Sequence, residues 1–487
     1  MNSEENLEEA QKKKFDIISS ISRWFPSVEK PTYRQSFNTR MKWTGIALII
    51  YIVLSYITVY GVAPATYQQF RFFEIVLGSK FGSLMTLGIG PIVTAGIILQ
   101  LLVGSKILKW DTTKPEYRKK FQSWNKGLAI IFAFLEAIAF VLAGAIQVTG
   151  GPGILAFVIF QLALGGIIVI FLDDLVTKWG FGSGISLFIA AGVATQIFIG
   201  IFSPFATTCQ PLDLASCIPS TTNPPAGRLW VSLISLFAGD LPSFSVSFLP
   251  IVTTAIIFII VIYAQHIKIN IPLAFAALKG FGRTWSLKLL YTSNIPVILA
   301  AAMIANIQLM GRFGLQPNEF GLLCGPLGCY DQQGNPTSGM AYYLSAPRTL
   351  LINIINQNLV PTEILRAIIY LIILTALATM FSVFWVNTAG MDAKSVAEQL
   401  SSVGMQIPGY RRDPRIIESV LNRYIPPLAV LGGLLVGLLA ASADILDVIG
   451  TGTGILLTVM IIYNYYEELS NQKLEEAHPI IRKILGG

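Results

Sequence analysis

The chain has 487 residues, 53% of them hydrophobic and only 13% charged, with a formal net charge of +7. A soluble protein carries charge on about a quarter of its residues, so a string of soluble domains is excluded in favour of one bundle embedded in lipid. Four cysteines and two histidines, none with metal-type spacing, exclude a structural zinc site, and in such a chain the placement of positive charge matters more than its sum.

Residues 1–42 are charged and broken by Pro26 and Pro31. Ile17, Ile18, Ile21, Trp24 and Phe25 fall at helical spacing, which predicts a short helix lying on the membrane surface within an N-terminal tail. A disordered tail is the alternative. The polar run Asn2–Lys14 at the start is unlike a cleavable signal peptide.

Ten apolar segments follow, each suited to a bilayer core of about 30 Å. The first is 43–60, and the second, 86–103, is broken by Pro91. Next come 127–148, 154–172 and 184–202, closing an N-terminal half over 43–202. A long loop at 203–247 leads to a second half over 248–466. Its segments are 248–264, 289–310 (broken by Pro296), 363–386, 424–441 and 451–466, and a tail occupies 467–487.

Orientation follows from the basic residues. With the N-terminus inside, the cytosolic tails and loops hold 28 of the 34 Lys and Arg. Arg71, Lys80, Arg228, Arg312 and Arg348 stay outside, and Arg366 lies in the eighth segment. The reverse topology would invert this bias, so both termini are expected in the cytosol of a multi-pass protein. The outside loops 203–247 and 311–362 then carry Cys209 with Cys217 and Cys324 with Cys329, where either disulfides or free thiols are possible.

Five segments per half is an odd number, so the two halves run through the membrane in opposite directions. Their second members match, Gly88–Val93 against Ser293–Ile298, and both contain proline. Inverted halves with interrupted helices in corresponding places point to a pathway near the midplane.

Catalysis finds little support. There is no HExxH and no nucleotide-binding P-loop. Gly182-Ser183-Gly184 resembles a nucleophile turn without a base, and Gly450–Gly454 reads as a flexible or closely packed helix start. Glu136 is the clearest central ionisable residue, with Thr94 and Gln100 on the second segment and Asn306 and Gln308 on the seventh. Such a group could form a substrate site of an inverted-repeat secondary transporter, but a hydrogen-bonded cluster joining helices is favoured. Ile89 with Val93, and Ile185 with Ile189, share helix faces by their spacing of four; packing or lipid contact explains most such pairs. The basic loops with Lys279 and Arg283, and with Arg411 and Arg412, are larger than an orientation signal requires and suit an anionic partner.

Several stretches resemble the SecY family, the alpha subunit of the Sec translocon in its archaeal form. They are Leu87–Gln100 (LGIGPIVTAGIILQ), Gly180–Gly192 (GFGSGISLFIAAG), Tyr291–Leu309 (YTSNIPVILAAAMIANIQL), Arg423–Leu428 (RYIPPL) and Gly452–Val459 (GTGILLTV), in family order. The resemblance spans about 42–478. It implies an all-α membrane protein of about ten transmembrane helices, in two pseudo-symmetric inverted halves forming a clamshell around an hourglass pore. The pore ring would be Ile89, Val93, Ile185, Ile189, Ile298 and Leu457. The plug would be Arg71, Phe72, Phe73, Glu74, Ile75, Val76, Leu77, Gly78, Ser79 and Lys80. The lateral gate would hold Thr94, Glu136 and Asn306, and ribosome docking would use Lys279, Arg283, Arg411 and Arg412. The implied function is passive translocation of secretory polypeptides and lateral release of membrane segments into lipid. Its driving partner would be a ribosome, its cargo signal sequences and nascent chains, and its companions the small SecE/gamma and beta subunits. No cofactor, metal or catalytic residue is implied, and the location would be the cell membrane. The two long outside loops look elaborated relative to the family core.

Overall fold

The computed structural model describes residues 28–477 except 34, 63–81, 105–106, 109, 111–114, 143, 145, 207–217, 221–222, 276–281, 293, 313, 319–321, 332–334, 348–349, 356, 359, 403–404 and 407–413. The predicted interfacial helix, the plug residues Arg71–Lys80 and the pair Cys209 and Cys217 lie outside the described residues, as do Lys279, Arg411 and Arg412.

Each of the ten apolar segments contains a helix. In the first half these are α1 (Phe37–Tyr56), α2 (Gly90–Gly104), α3 (Pro115–Leu142), α4 (Pro152–Trp179) and α5 (Gly184–Phe202). A short helix, α6 (Arg228–Ala238), precedes α7 (Leu241–His266), the first of the second half. The strands β1 (Lys268–Phe275) and β2 (Gly282–Lys288) then lead to α8 (Ile295–Met310). A loop follows with β3 (Gln316–Pro317), β4 (Leu323–Gly325), β5 (Gly328–Tyr330), α9 (Met340–Tyr343) and α10 (Leu350–Ile355). The chain ends through α11 (Pro361–Thr388), α12 (Ala393–Ser402), β6 (Met405–Gln406), α13 (Pro414–Ile445) and α14 (Gly452–Ala477). Among the described residues, six helical stretches are long and apolar enough to cross a membrane.

The two prolines read as interruptions take a different role. Pro91 and Pro296 sit in the first turns of α2 and α8, where the missing N–H costs nothing and the fixed φ favours the helix. The resulting helices have 15 and 16 residues, about 22–24 Å of rise and therefore shorter than the hydrocarbon core. The remaining depth ahead of α2 is crossed by turns, with Gly88 N–H donating to the Met85 carbonyl and Gly90 N–H to that of Leu87. Irregular backbone at that depth must be enclosed by protein, and Met85, Thr86 and Leu87 are fully buried.

Three elements differ in extent from the apolar segments. The region 203–247 is not a loop throughout, because α6 occupies part of it and α7 begins at Leu241 under an Asp240 cap that accepts the Ser243 N–H at 3.4 Å. The helix of the last segment runs on beyond 466, with α14 continuing to Ala477. Residues 37–42, assigned to the tail, already belong to α1.

Outside the helices are two small three-stranded sheets, ordered β2-β1-β6 and β3-β4-β5. In the first, Leu273 faces Arg283 and Ala274 faces Gln406, so the two basic loops are joined in one sheet. In the second, Cys324 and Cys329 face each other across the β4–β5 hairpin and form a disulfide, with their Cα atoms 4.0 Å apart.

The main core runs through both halves. It includes Tyr51 of α1, Val93 of α2, Val169 of α4, Phe188 of α5, Ile257 of α7, Ile304 of α8, Leu374 of α11, Val436 of α13 and Leu456 of α14. The halves meet where α2 packs on α8 and α11, and where α5 packs on α14.

Candidate functional site

The six ring residues come from four helices of both halves. Ile89 sits one residue ahead of α2, and its carbonyl accepts the Val93 N–H at 3.1 Å, so the two side chains keep the helical spacing that aligns them. Ile185 and Ile189 lie in the first two turns of α5, Ile298 in the first turn of α8 and Leu457 in the second turn of α14. Ile89, Val93, Ile189, Ile298 and Leu457 are buried in one and the same core cluster, and Ile185 packs against it half-buried. Every member is aliphatic. The cluster they share draws on both halves, and aliphatic side chains of this kind are able to close a passage by dewetting.

Next to Val93 on α2, Thr94 belongs to a polar chain. Glu136 of α3 is buried and accepts a hydrogen bond from the Thr94 hydroxyl of α2 at 2.6 Å. The Asn306 amide of α8 donates to the same Thr94 oxygen at 3.0 Å. The second bond crosses from one half to the other. The neighbouring candidate Gln308 is not part of this chain, because its amide donates to the Leu344 carbonyl at 2.9 Å in the loop after α8. Arg366 is likewise committed elsewhere: it donates to the Ser345 carbonyl at 2.8 Å and stacks over the Tyr342 ring at 4.2 Å. The cation in the eighth segment therefore anchors a loop instead of standing in the bundle.

Of the docking residues, Arg283 lies on β2 opposite Leu273. The sheet that carries it is tied to the second half of α14, where Glu467 pairs with Lys268 at 3.4 Å and with Lys288. Desolvation pushes the Glu467 carboxyl up, but the Lys288 and Lys268 ammonium groups outweigh it and hold the carboxyl below the usual range. With the folded pKa depressed, this tie is present above the unfolded carboxylate pKa and is lost as pH falls through the folded one. Among the described residues no group of three or more His, Cys, Asp or Glu is arranged to hold a metal.

Sequence reading missed the carboxylates that start two of the ring-bearing helices. Asp173 Oδ1, near the end of α4, accepts the Ile185 N–H at 3.0 Å. Asp444 Oδ1, near the end of α13, accepts the Gly452 N–H at 2.7 Å, while its Oδ2 accepts the Tyr370 hydroxyl at 2.8 Å. Both were signalled by an aspartate shortly before a Gly-Ser-Gly or Gly-Thr-Gly run.

Comparison with known proteins places this geometry in context. A SecY family profile matches residues 83–466. The protein translocase subunit SecY of Methanothermobacter thermautotrophicus is 41% identical over 482 residues, covering 98% of this chain and 100% of that one. The SecY subunit of Pyrococcus furiosus is 42% identical over 483 residues, with 97% and 99% covered. The solved structure of a protein-conducting channel superposes with a TM-score of 0.79 at 42% identity, covering 95% of this chain and 98% of that one. The Sec61 channel of a canine ribosome–channel complex from the endoplasmic reticulum gives 0.76 at 42% identity, with the same 95% and 98% coverage.

Proposed function

The chain belongs to the SecY family, and from that premise we propose that it is the pore-forming subunit of a protein-conducting channel. It passes secretory polypeptides across the membrane and releases membrane segments sideways into lipid. The observation that carries this reading is the aliphatic core shared by both halves, to which the six ring residues belong, together with a hydrogen-bonded seam between α2, α3 and α8. An aliphatic ring grips a moving chain without sequence preference and excludes ions when empty. A few hydrogen bonds across a helix seam are strong enough to hold it shut and weak enough for an apolar signal helix to part.

In this reading Arg71–Lys80 is the plug, and Thr94, Glu136 and Asn306 form the lateral gate. Both termini lie in the cytosol of a plasma-membrane protein, as the excess of Lys and Arg on that side supports. The sheet that joins the loops of Lys279, Arg283, Arg411 and Arg412 then faces the cytosol as a docking platform for a ribosome, the partner of the canine channel. SecE/gamma and beta subunits flank the clamshell. The channel is passive, with no enzymatic step and no cofactor, and the docked partner supplies the driving force.

The test places a thiol in the ring by Ile185→Cys and asks whether it crosslinks to a stalled secretory chain of matched length. Crosslinking to that chain, but not to one lacking a signal, is the expected result. Failure at every length with a folded complex would transfer the argument to a secondary transporter centred on Glu136.

A further inference from the structure

The fourth and fifth membrane helices of the first half, α4 and α5, correspond to α13 and α14 of the second. At both corners the chain makes the same unusual turn. The first corner is Gly182-Ser183-Gly184 and the second Gly450-Thr451-Gly452. The leading glycine has positive φ in each, +62° at Gly182 and +92° at Gly450, a conformation that L side chains rarely adopt. The third residue opens the new helix and presses against the end of the old one. A Cβ on Gly184 would fall 2.6 Å from Asp173 Cα, and one on Gly452 would fall 2.2 Å from Asp444 N. Only glycine allows that approach.

The approach brings a carboxylate onto the free N–H groups of the new helix. Asp173 Oδ1 takes the Ile185 N–H at 3.0 Å. The local residue Ser183 makes no side-chain cap of its own. Asp444 Oδ1 takes the N–H groups of Gly452 at 2.7 Å and Thr453 at 3.4 Å, and Thr451 Oγ1 completes the cap on Gly454 at 3.0 Å. Each carboxylate meets the positive end of a helix dipole and satisfies donors that have no partner within their own helix. In both corners the capped helix carries ring residues within its first two turns: Ile185 and Ile189 on α5, Leu457 on α14.

The two corners are also held by each other's helix. Tyr465 of α14 donates to the carbonyl of Ser183 at 3.0 Å. Gly200 of α5 lies against Ile449, one residue before the second turn.

We propose that Asp173 and Asp444 are paired positioning residues, a device duplicated in the two inverted halves, each fixing the depth and rotation of one ring-bearing helix. The proposal rests on the ring being the channel's constriction, but its test needs no transport. The purified channel complex, carrying Ile185→Cys or Leu457→Cys, is treated in membranes with a charged, water-soluble thiol reagent. Asp173→Ala should raise the labelling rate of the Ile185→Cys thiol several-fold and leave the Leu457→Cys thiol within twofold. Asp444→Ala should do the reverse. Asp173→Asn and Asp444→Asn should restore wild-type rates, because the amide oxygen still accepts the helix N–H groups and, in Asp444→Asn, the new amide nitrogen can donate to the Tyr370 oxygen. If an alanine variant fails to assemble, the glutamate variant, longer by one methylene, should shift the thiol on its own helix alone. Equal acceleration at both thiols, or none at either in an assembled complex, overturns the proposal. Transport of a secretory chain by the unsubstituted complex in the same vesicles reports on the channel reading separately.

Discussion

Val93 and Thr94 are adjacent on α2, yet they belong to regions held by opposite physics. Val93 faces an aliphatic cluster whose cohesion is dispersion and water exclusion, without direction. Thr94 is the middle of a chain of two aimed hydrogen bonds, from Asn306 and to Glu136. The proposed ring therefore needs only bulk and apolarity from each member, whereas the seam needs particular atoms at particular places. A one-residue step around the helix moves from a surface that tolerates many side chains to one that tolerates few.

Four substitutions break or sharpen that contrast. The largest effect is expected from Ile298→Lys, because an ammonium group at this depth draws in water and wets the proposed ring. Resting ion conductance in a planar bilayer should rise by on the order of tenfold. Thr94→Ala comes next, since it removes both bonds at once. Only the Asn306 bond spans the two halves; at about 1 kcal/mol for an interhelical hydrogen bond, its loss should lower the closed-to-open ratio roughly fivefold, read as passage of less hydrophobic signal sequences. Glu136→Gln keeps an acceptor for the Thr94 hydroxyl and should cost under about 0.6 kcal/mol, shifting signal stringency less than threefold. The smallest effect belongs to Ile189→Leu, a volume-conserving exchange that should leave conductance unchanged. Were Ile189→Leu to leak as much as Ile298→Lys, the seal would depend on shape instead of apolarity, and the contrast between the regions would collapse.

Much of this was legible in the sequence because membranes impose simple rules. Long apolar runs located all ten helix-bearing segments, and 184–202 coincides with α5 to the residue. The spacing of four placed Ile89 with Val93 and Ile185 with Ile189 on common faces. What escaped obeys other periods. Ile269, Ile271, Leu273 and Phe275 alternate with other residues along β1, a period of two hidden among helices. In α6, Trp230, Leu233, Ile234 and Phe237 line an exposed stripe too short to register as a membrane crossing. The prolines misled because a proline in an apolar run marks a kink or a start equally well, and only the turns ahead of Gly90 distinguish them. The capping aspartates were passed over, despite the glycine runs that follow them, because their partners lie 12 and 8 residues downstream, beyond the reach of a local capping pattern.

The bond from Asn306 to Thr94 joins residues 212 apart in sequence. At a synthesis rate of about 5–20 residues per second, Thr94 leaves the ribosome on the order of ten to forty seconds before its partner exists. Through that interval the first half stands in the membrane with its seam face uncovered, and lipid or another protein must occupy it. The molecule's own birth thus passes through an unlatched intermediate, and the latch closes only when α8 arrives to displace whatever held its place.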